Sequence, residues 1–257
     1  MKNFIKKLEA IVVYEGFPLL IPYKKFNIRF WNQGLPKNTY NLSLKPEDVS
    51  EQNPIQLYHH LLKDLNVKGK NILEVGCGRG GGCYYAKEYL EVNHVSGLDL
   101  SYRHIKICRS WLSSEKGYDF KQGNALQLPY HEESFDAIVN LESAQYYTSL
   151  ESFFKECHRV LKKDGVLSIA CVIDSHVACS LEKLLLDAHF KIIKKENLTS
   201  KILISIEQEE ERKETIRKQR RIPKRLMLNQ AVMVGSDLYK KMQEGLWEYP
   251  FFLVQKS

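Results

Sequence analysis

Short apolar runs alternate with amphipathic segments through the middle of the chain. Five runs have the length and apolar content of buried strands: 71–75, 94–100, 118–122, 135–141 and 166–173. Three segments between them repeat apolar residues at helical spacing: 82–90, 102–113 and 150–161. Strands that alternate with helices of about ten residues are typical of βαβ units and a mostly parallel sheet. The pattern therefore predicts an α/β fold.

The alternation loosens towards both ends of the chain. Flanking helices are predicted at 54–65, 181–189 and 206–221, and flanking strands at 191–199 and 246–255. The last of these segments is aromatic and β-prone, so we expect it to add a final antiparallel strand. Lys162, Lys163 and Gly165 follow the helix at 150–161, and they indicate a positively charged last turn closed by a glycine cap.

Together these elements indicate one α/β domain with an extension at its N-terminal side. We expect about seven mostly parallel strands, with helices on both faces of the sheet. An N-terminal cap segment would occupy residues 1–53 and the domain residues 54–257, with a charged, lid-like insertion around 200–225. A chain of 257 residues supplies ample material for such a core.

Positive charge is concentrated around this insertion. The chain has 38 lysines and arginines against 31 aspartates and glutamates, a formal net charge of +7. Residues 191–225 alone hold twelve basic and six acidic side chains, a net of +6. Three interpretations stay open: a solvated helix, which leads, a lid over an acceptor site, and a basic surface for anionic lipid headgroups or RNA. Aromatic residues are not interleaved with the basic ones, which counts against an RNA groove.

The six cysteines are scattered along the chain: Cys77, Cys83, Cys108, Cys157, Cys171 and Cys179. None forms a C-x-x-C pair or has metal-ligand spacing, and several lie in apolar runs, where a free thiol behaves as a small hydrophobe. The longest apolar stretch near the N-terminus, 10–23, is interrupted by Glu15, Pro18 and Pro22 and is too short to span a bilayer. We therefore expect reduced thiols, no metal and a cytoplasmic protein.

A glycine-rich loop follows the first predicted strand and opens a helix. It reads Gly-Cys-Gly-Arg-Gly-Gly-Gly over residues 76–82, and Glu74 lies two residues before it. In this strand–loop–helix context the loop is a candidate for ligand binding, because glycine lets the backbone approach a ligand closely. Its spacing fits both a dinucleotide fingerprint and the tighter E-x-G-x-G-x-G form. The Glu74 carboxylate would repel a pyrophosphate, whereas it can help to accommodate the ammonium and sulfonium of S-adenosylmethionine (SAM).

An acidic residue ends the second predicted strand. Asp99 lies twenty-three residues after Gly76, and a carboxylate there can accept hydrogen bonds from both hydroxyls of a ribose. The alternative is that Asp99 only caps the helix that follows. The glycine loop before it favours the ribose.

Three later segments resemble class I SAM-dependent methyltransferases. They read QGNALQLPY at 122–130, SFDAIVN at 134–140 and HRVLKKDGVL at 158–167, in the family's order and at similar spacings. With the glycine loop and Asp99, they extend the resemblance over about residues 54–174. The resemblance implies the Rossmann-like fold of that family, with SAM as cofactor.

A closer resemblance involves segments inside and outside this core. They read NPIQLYHH at 53–60, CGRGGG at 77–82 and NLES at 140–143. Together they resemble the phthiotriol/phenolphthiotriol dimycocerosate O-methyltransferases and relatives that act on lipids and polyketides. The match extends weakly to 246–252. It implies a small-molecule methyltransferase, and the lipid named for that family need not be the substrate here.

The resemblance implies a set of residues around the methionine portion of SAM. The loop residues that would border it are Glu74, Gly76, Cys77, Gly78 and Gly80. Asn140 would contact the methionine amine or the methyl donor through its backbone carbonyl. Trp31, with Asn32 and Gly34, resembles an N-terminal segment that closes over the cofactor in lipid and sterol relatives. A core aromatic is an equally supported interpretation of Trp31.

The resemblance also implies residues for the nucleoside portion. Asp99 would hold the ribose, and Leu100 would pack against the adenine. Asn124 would face the adenine amino group, where many relatives have aspartate, so the side-chain carbonyl would act alone. Ala125 would offer its backbone N–H to the ring.

The reaction would require positioning and a proton acceptor. Methyl transfer is an in-line displacement, so much of the catalysis can come from holding the acceptor on line. An alcohol must also lose its proton, and Glu142, just after the fourth strand, is the best-placed base. The alternative for Glu142 is a solvated or capping side chain. Many relatives have a histidine where this chain has Gln145, which cannot act as a base, and His176 would supply the imidazole unless it is a surface histidine.

The sequence therefore predicts a SAM-dependent methyltransferase that acts on a hydroxyl of an apolar small molecule, either a lipid or a polyketide-like compound. Methylation at carbon or nitrogen of a sterol, quinone or amine is an alternative, because it tolerates the missing histidine. A non-catalytic SAM-binding protein is another. No nucleic-acid partner is expected, and the basic helix would make at most a weak contact with a membrane surface.

Overall fold

The computed structural model describes residues 28–112, 114–221 and 232–257 of the chain. Its strands are β1 (Asn71–Val75), β2 (His94–Asp99), β3 (Tyr118–Gln122), β4 (Phe135–Leu141), β5 (Leu161–Ala170), β6 (Ile173–Asp174), β7 (Phe190–Asn197), β8 (Trp247–Glu248) and β9 (Pro250–Lys256). Its α-helices are α1 (Gln52–Leu62), α2 (Gly81–Leu90), α3 (Tyr102–Trp111), α4 (Leu150–Val160), α5 (Ser175–Asp187), α6 (Thr199–Gln208), α7 (Glu210–Arg220) and α8 (Asp237–Gln243). Residues 1–27 of the predicted cap segment and residues 222–225 of the predicted insertion lie outside the described residues.

Seven strands of the described chain form one sheet, in the order β3-β2-β1-β4-β5-β9-β7. The pairs among β1 to β5 are parallel, whereas β9 lies antiparallel to both β5 and β7. The prediction of about seven mostly parallel strands, with the tail as an antiparallel strand, is confirmed. The short strands β6 and β8 pair separately.

Alternate residues of the central strand face opposite sides of the sheet. In β1, Ile72 packs into one apolar cluster, whereas Leu73 and Val75 pack into another. The first cluster includes Leu61 of α1, and the second includes Phe153 of α4. Helices therefore cover both faces of the sheet, as the sequence predicted. No helix within the described ranges is both long enough and apolar enough to cross a bilayer.

The end of α4 differs from the sequence-based expectation. The helix ends at Val160, and Leu161 already has the extended backbone of β5, with φ −73° and ψ 138°. Leu161 is fully buried and pairs with Phe135 of β4. The predicted glycine cap at Gly165 is therefore wrong, because the apolar side chain at 161 is used by the sheet and the chain enters the strand directly.

The charged segment after β7 forms two helices instead of the single predicted one. α6 begins at Thr199, earlier than the prediction, because Ile202 and Ile206 make an apolar face that packs into the core. α7 follows after Glu209 and carries most of the charge. Arg212 pairs with Glu209, and Arg217 pairs with Glu214.

Candidate functional site

A cleft opens where β1, β2 and β4 reach their carboxyl ends. The strand order reverses between β1 and β4, and open α/β sheets bind their ligands at such a point. Six of the residues predicted from the sequence line this cleft: Trp31, Gly76, Cys77, Gly78, Asp99 and Glu142.

The glycine loop is held from behind and is open on its cleft side. The N–H groups of Gly76 and Cys77 donate to the carbonyl oxygen of Leu98, at 2.7 and 3.0 Å. Gly76 and Gly78 have φ values of +77° and +52°, a region that favours glycine. A Cβ at Gly76 would lie 2.3 Å from Ser143 Oγ, whereas a Cβ at Gly78 would meet no atom within 4 Å. Gly76 is thus required for packing, and Gly78 leaves room beside the loop.

Two residues of the predicted set lie behind the loop and do not line the cleft. The Glu74 carboxylate is buried and accepts hydrogen bonds from Tyr58 Oη at 2.7 Å and Cys83 Sγ at 3.0 Å. Burial is the main cause that raises the pKa of Glu74 to about 8. A Cβ at Gly80 would lie 3.1 Å from Cys108 Sγ, so this glycine permits close packing of the core. Glu74 reaches the cleft through Tyr58, which does line it.

Asp99 joins the glycine loop to the start of α3. Its Oδ2 accepts the Gly78 N–H at 2.8 Å, and its Oδ1 accepts the Ser101 N–H at 2.9 Å. His104 Nδ1 lies 3.3 Å from the same Oδ1. The side chain that caps α3 is Ser101, so the interpretation of Asp99 as only a helix cap is wrong. The carboxylate fixes the loop and still faces the cleft.

Glu142 lies on the opposite side of the loop, directly after β4. Its φ is +50°, and its N–H donates to the Ala170 carbonyl at 2.9 Å. Its Oε1 accepts the Gln33 N–H at 2.8 Å and the Tyr249 hydroxyl at 2.7 Å. Burial raises the pKa of Glu142, and the two hydrogen bonds oppose that effect. Gln145 donates its amide to the Glu142 carbonyl at 2.9 Å, which gives it a role in holding this turn.

Asn140 supports the loop from beneath. Its Nδ2 lies 2.9 Å from the Val75 carbonyl oxygen, 2.7 Å from Ser143 Oγ and 3.0 Å from the Tyr147 hydroxyl. The side chain is fully buried, and its Oδ1 has no hydrogen-bond partner among the described residues. A buried carbonyl oxygen without a partner is costly, and Asn140 is not among the residues that line the cleft.

The residues predicted for adenine lie at the neighbouring strand ends, outside the lining of the cleft. The Gly123 N–H donates to the Asp99 carbonyl at 3.0 Å, which places the segment after β3 beside that of β2. Leu100 is 54% exposed, which is high for a large apolar side chain. Asn124 is exposed and Ala125 is buried. Their contact with a nucleoside stays a prediction.

His176 lies in the first turn of α5, with its side chain exposed. Its N–H donates to Asp174 Oδ1 at 2.9 Å, which caps the helix. It is not among the residues that line the cleft.

Several cleft residues were not predicted from the sequence. Arg79 is buried with its guanidinium 4.8 Å from the centre of the Trp31 ring, and burial lowers its pKa to about 10. Arg29 also lines the cleft and forms an ion pair with Glu51 at 3.0 Å. The position of Arg79 inside the glycine loop could have identified it from the sequence as a cleft residue. Tyr249 does not line the cleft, but its hydroxyl holds Glu142; it comes from the tail, where the sequence offered only the weak family match.

One feature of the cleft suits a SAM molecule. The open space beside Gly78 is where a ligand can lie against the backbone of the loop. The unpartnered Oδ1 of Asn140 is buried next to the loop, and Asn140 is not among the residues that line the cleft.

Comparison with known proteins gives the same class. A family described as a methyltransferase domain matches residues 73–169. A fatty-acid O-methyltransferase of Mycolicibacterium smegmatis is 30% identical over 185 residues, which are 72% of this chain and 67% of the relative. A phthiotriol/phenolphthiotriol dimycocerosates methyltransferase of Mycobacterium leprae is 38% identical over 129 residues, 50% of this chain and 47% of the relative. The chain thus spans two thirds of the first relative and about half the length of the second.

A solved structure has the same architecture. It is the geranyl diphosphate C-methyltransferase of Streptomyces coelicolor with Mg²⁺, geranyl diphosphate and S-adenosyl-L-homocysteine. The TM-score is 0.66 at 17% sequence identity, over 92% of this chain and 99% of that one. At this identity the likeness shows the fold alone. The glycine loop, Asp99 and the match across two thirds of a curated relative show, together with this fold, that the chain belongs to the class I SAM-dependent methyltransferases.

Proposed function

We propose that the protein transfers the methyl group of SAM to a hydroxyl oxygen of an apolar small molecule, a lipid or a polyketide-like compound. The observation that carries the proposal is a partly buried carboxylate, Glu142, in the same cleft as the glycine loop and Asp99. The relatives named above, one for fatty acids and one for phthiotriol lipids, support an apolar acceptor.

Residues on both sides of the loop would hold the cofactor. SAM, when bound, supplies an electrophilic methyl group on its sulfonium. Asp99 would accept the ribose hydroxyls with the lone pairs that its two backbone donors leave unused. The Asn140 backbone carbonyl would contact the methionine ammonium or the methyl donor, and Arg79 suits the methionine carboxylate because its charge is opposite. Leu100 and the segment around Asn124 would cover the adenine.

Glu142 would accept the proton of the acceptor hydroxyl. A carboxylate with a raised pKa is a stronger base than an exposed one, provided that it is ionised at the working pH. Its Oε1 is held by Gln33 and Tyr249, and its Oε2 has no hydrogen bond among the described residues. His176 lies exposed outside the cleft and takes no part in this proposal.

The proposal includes at most a weak contact between α7 and a membrane surface. Arg212 and Arg217 are paired with glutamates, which leaves less positive charge for anionic headgroups than the sequence suggested.

The first experiment is a calorimetric titration of the protein with SAM. Wild type should bind, and Asp99→Ala should weaken binding at least tenfold because both loop and ribose lose their acceptor. Asp119→Ala, on the neighbouring strand, is the matched control and should bind as wild type does. A folded wild-type protein that shows no binding would remove the cofactor from the proposal.

The second experiment tests the base. Transfer of labelled methyl groups from SAM to hydroxylated lipids and polyketides identifies an acceptor, and the product's bond shows whether oxygen, carbon or nitrogen was methylated. Glu142→Gln should lower kcat about 100-fold or more while SAM binding stays unchanged. Glu151→Gln, an exposed change on α4, is the control. If Glu142→Gln keeps full activity, Glu142 is not the base.

A further inference from the structure

Lys213 of α7 and Glu142 have a common partner. Lys213 Nζ donates to Gln33 Oε1 at 3.2 Å and to the Val232 carbonyl at 2.8 Å. The backbone N–H of the same Gln33 donates to Glu142 Oε1 at 2.8 Å. One residue of the N-terminal segment therefore links the charged helix to the carboxylate in the cleft.

The surroundings of Lys213 are unusual for a lysine, because its ammonium is partly buried without a carboxylate partner among the described residues. Both of its hydrogen-bond partners are neutral, and no carboxylate oxygen of the described residues lies within 4 Å of its ammonium. Burial lowers the pKa of Lys213 to about 8, although nearby glutamates act in the opposite direction. A partly buried ammonium without an ion pair has an unfavourable desolvation cost, so its position calls for a reason other than stability.

Further contacts dock the two helices onto the same segment. Ser205 Oγ donates to the Gln33 carbonyl at 2.9 Å, and Gln208 Oε1 accepts the Lys37 N–H at 3.2 Å. Asn53 of α1 donates to Ser205 Oγ at 3.0 Å. The position of Lys213 is thus fixed by the docking of α6 and α7 against residues 33–37.

We propose that Lys213 is a positioning residue for Glu142: it fixes Gln33, and its positive charge favours the ionised form of the carboxylate when α7 lies against the N-terminal segment. The inference rests on the proposed function, in which Glu142 accepts the proton of the acceptor. It gives the charged insertion a role in activating the base.

The cations that line the same cleft, Arg29 and Arg79, lie against Glu51 and the Trp31 ring, respectively. Two further titratable groups beside Glu142 carry no charge that could favour its ionised form. Tyr249 of β9 donates its hydroxyl to Glu142, and burial raises its pKa well above the ordinary value. Cys171, just after β5, has its pKa raised to about 12 by burial and by the charge of Glu142. Both are therefore neutral near pH 7, whereas Lys213 is mostly protonated below its pKa of about 8.

The test is a direct titration of Glu142 in the full-length protein bound to S-adenosylhomocysteine. Carbon-13-labelled glutamate gives a carboxyl NMR signal for each residue, and the signal lost in Glu142→Gln assigns Glu142. Lys213→Met should raise the pKa of Glu142 by about one unit, because the cation that favours the anion is gone. Lys213→Arg should restore most of the shift, and Lys218→Met, exposed on the same helix, should leave the pKa unchanged.

The outcomes separate the inference from the proposed function. A Glu142 pKa that is equal in wild type and in folded Lys213→Met overturns the role of Lys213. If Lys213→Met fails to fold, Gln33→Leu is the second variant, because it removes the side chain that links Lys213 to Glu142 while the Lys213 charge stays. It should shift the pKa of Glu142 measurably, by less than one unit. No shift in this variant would also overturn the role of Lys213. If the pKa shifts as expected but Glu142→Gln keeps full methyl transfer, the linkage holds and the assignment of Glu142 as base fails.

Discussion

At the scale of single residues, two glycines with the same strain serve different purposes. Gly78 and Gly69 have φ values of +52° and +72°, and neither has an atom within 4 Å of the position of a Cβ. Alanine at either site should cost about 1–2 kcal/mol in the free energy of unfolding, because a left-handed backbone disfavours a side chain. Only Gly78 lines the cleft. The added methyl group there would occupy space that we assign to the cofactor.

We therefore expect Gly78→Ala to weaken SAM binding at least tenfold, whereas Gly69→Ala should bind SAM as wild type does. Urea unfolding measures the shared cost of strain, and calorimetric titration measures the affinity. Equal affinities for SAM in the two variants would contradict the assignment of the space beside Gly78.

Glu74 should make the stability of the protein fall as the pH rises. Its pKa is raised from an ordinary 4.5 to about 8, so between these values the unfolded chain ionises Glu74 while the folded protein keeps it protonated. Stability from this group is complete below about pH 4.5 and declines as the pH rises towards 8. Glu74→Gln does not titrate, and its Oε1 can still accept from Tyr58.

The free energy of unfolding of Glu74→Gln, relative to wild type, should therefore rise by about 1–3 kcal/mol between pH 5.5 and pH 8. Urea titrations of both proteins at the two pH values provide the measurement. A difference that does not change with pH would show that Glu74 is already ionised in the folded protein.

At the scale of elements, the 3₁₀ helix Pro46–Glu51 fixes the segment that carries Trp31. Glu51 Oε1 accepts the N–H groups of Arg29 and Phe30 at 2.8 and 3.0 Å, and its Oε2 pairs with Arg29 Nε at 3.0 Å. Asp48 of the same helix also pairs with Arg29. These groups are buried, so the cation and its two partners depend on one another.

Removal of Glu51 should therefore affect both the fold and the cleft. Glu51→Ala should lower the free energy of unfolding by about 3 kcal/mol, because two N–H groups and part of the Arg29 charge lose their partner. SAM affinity should fall with it, since Arg29 and Trp31 line the cleft. Ser50→Ala, exposed in the same helix, is the control. A large loss of stability with unchanged SAM affinity would show that the segment does not contact the cofactor.

Elements also show which parts of the site the sequence predicts. The glycine loop and Glu142 each follow a strand, Asp99 ends one, and the apolar runs reveal those strands. The partners of Glu142 are different, because Gln33 and Tyr249 lie 109 and 107 positions away and no local pattern encodes the contact. Leu161 shows the same limit, because local signals favoured a helix cap and its burial against the sheet decided otherwise.

At the scale of the whole molecule, three distant parts of the chain converge on one carboxylate. Gln33 comes from the N-terminal segment, Lys213 acts from α7 through Gln33, and Tyr249 comes from the start of the tail. The parallel strands β1 and β4 supply the glycine loop and the Glu142 turn, which meet in the cleft at the strand ends. In the proposed function the common core binds the cofactor, and the additions around it determine how the Glu142 carboxylate is held.

A ligand that bridges these parts should stabilise the entire fold. Binding to the folded state alone adds RT ln(1 + [L]/Kd), which is about 2.7 kcal/mol when SAM is present at 100 times its Kd. For a chain of this size, each kcal/mol shifts Tm by about 2–4 °C, so SAM should raise the Tm of wild type by about 5–10 °C. Asp99→Ala should lose most of this shift at the same SAM concentration, and Asp119→Ala should keep it. Thermal unfolding with and without SAM measures both, and a shift of equal size in Asp99→Ala would mean that the ribose is held by other residues.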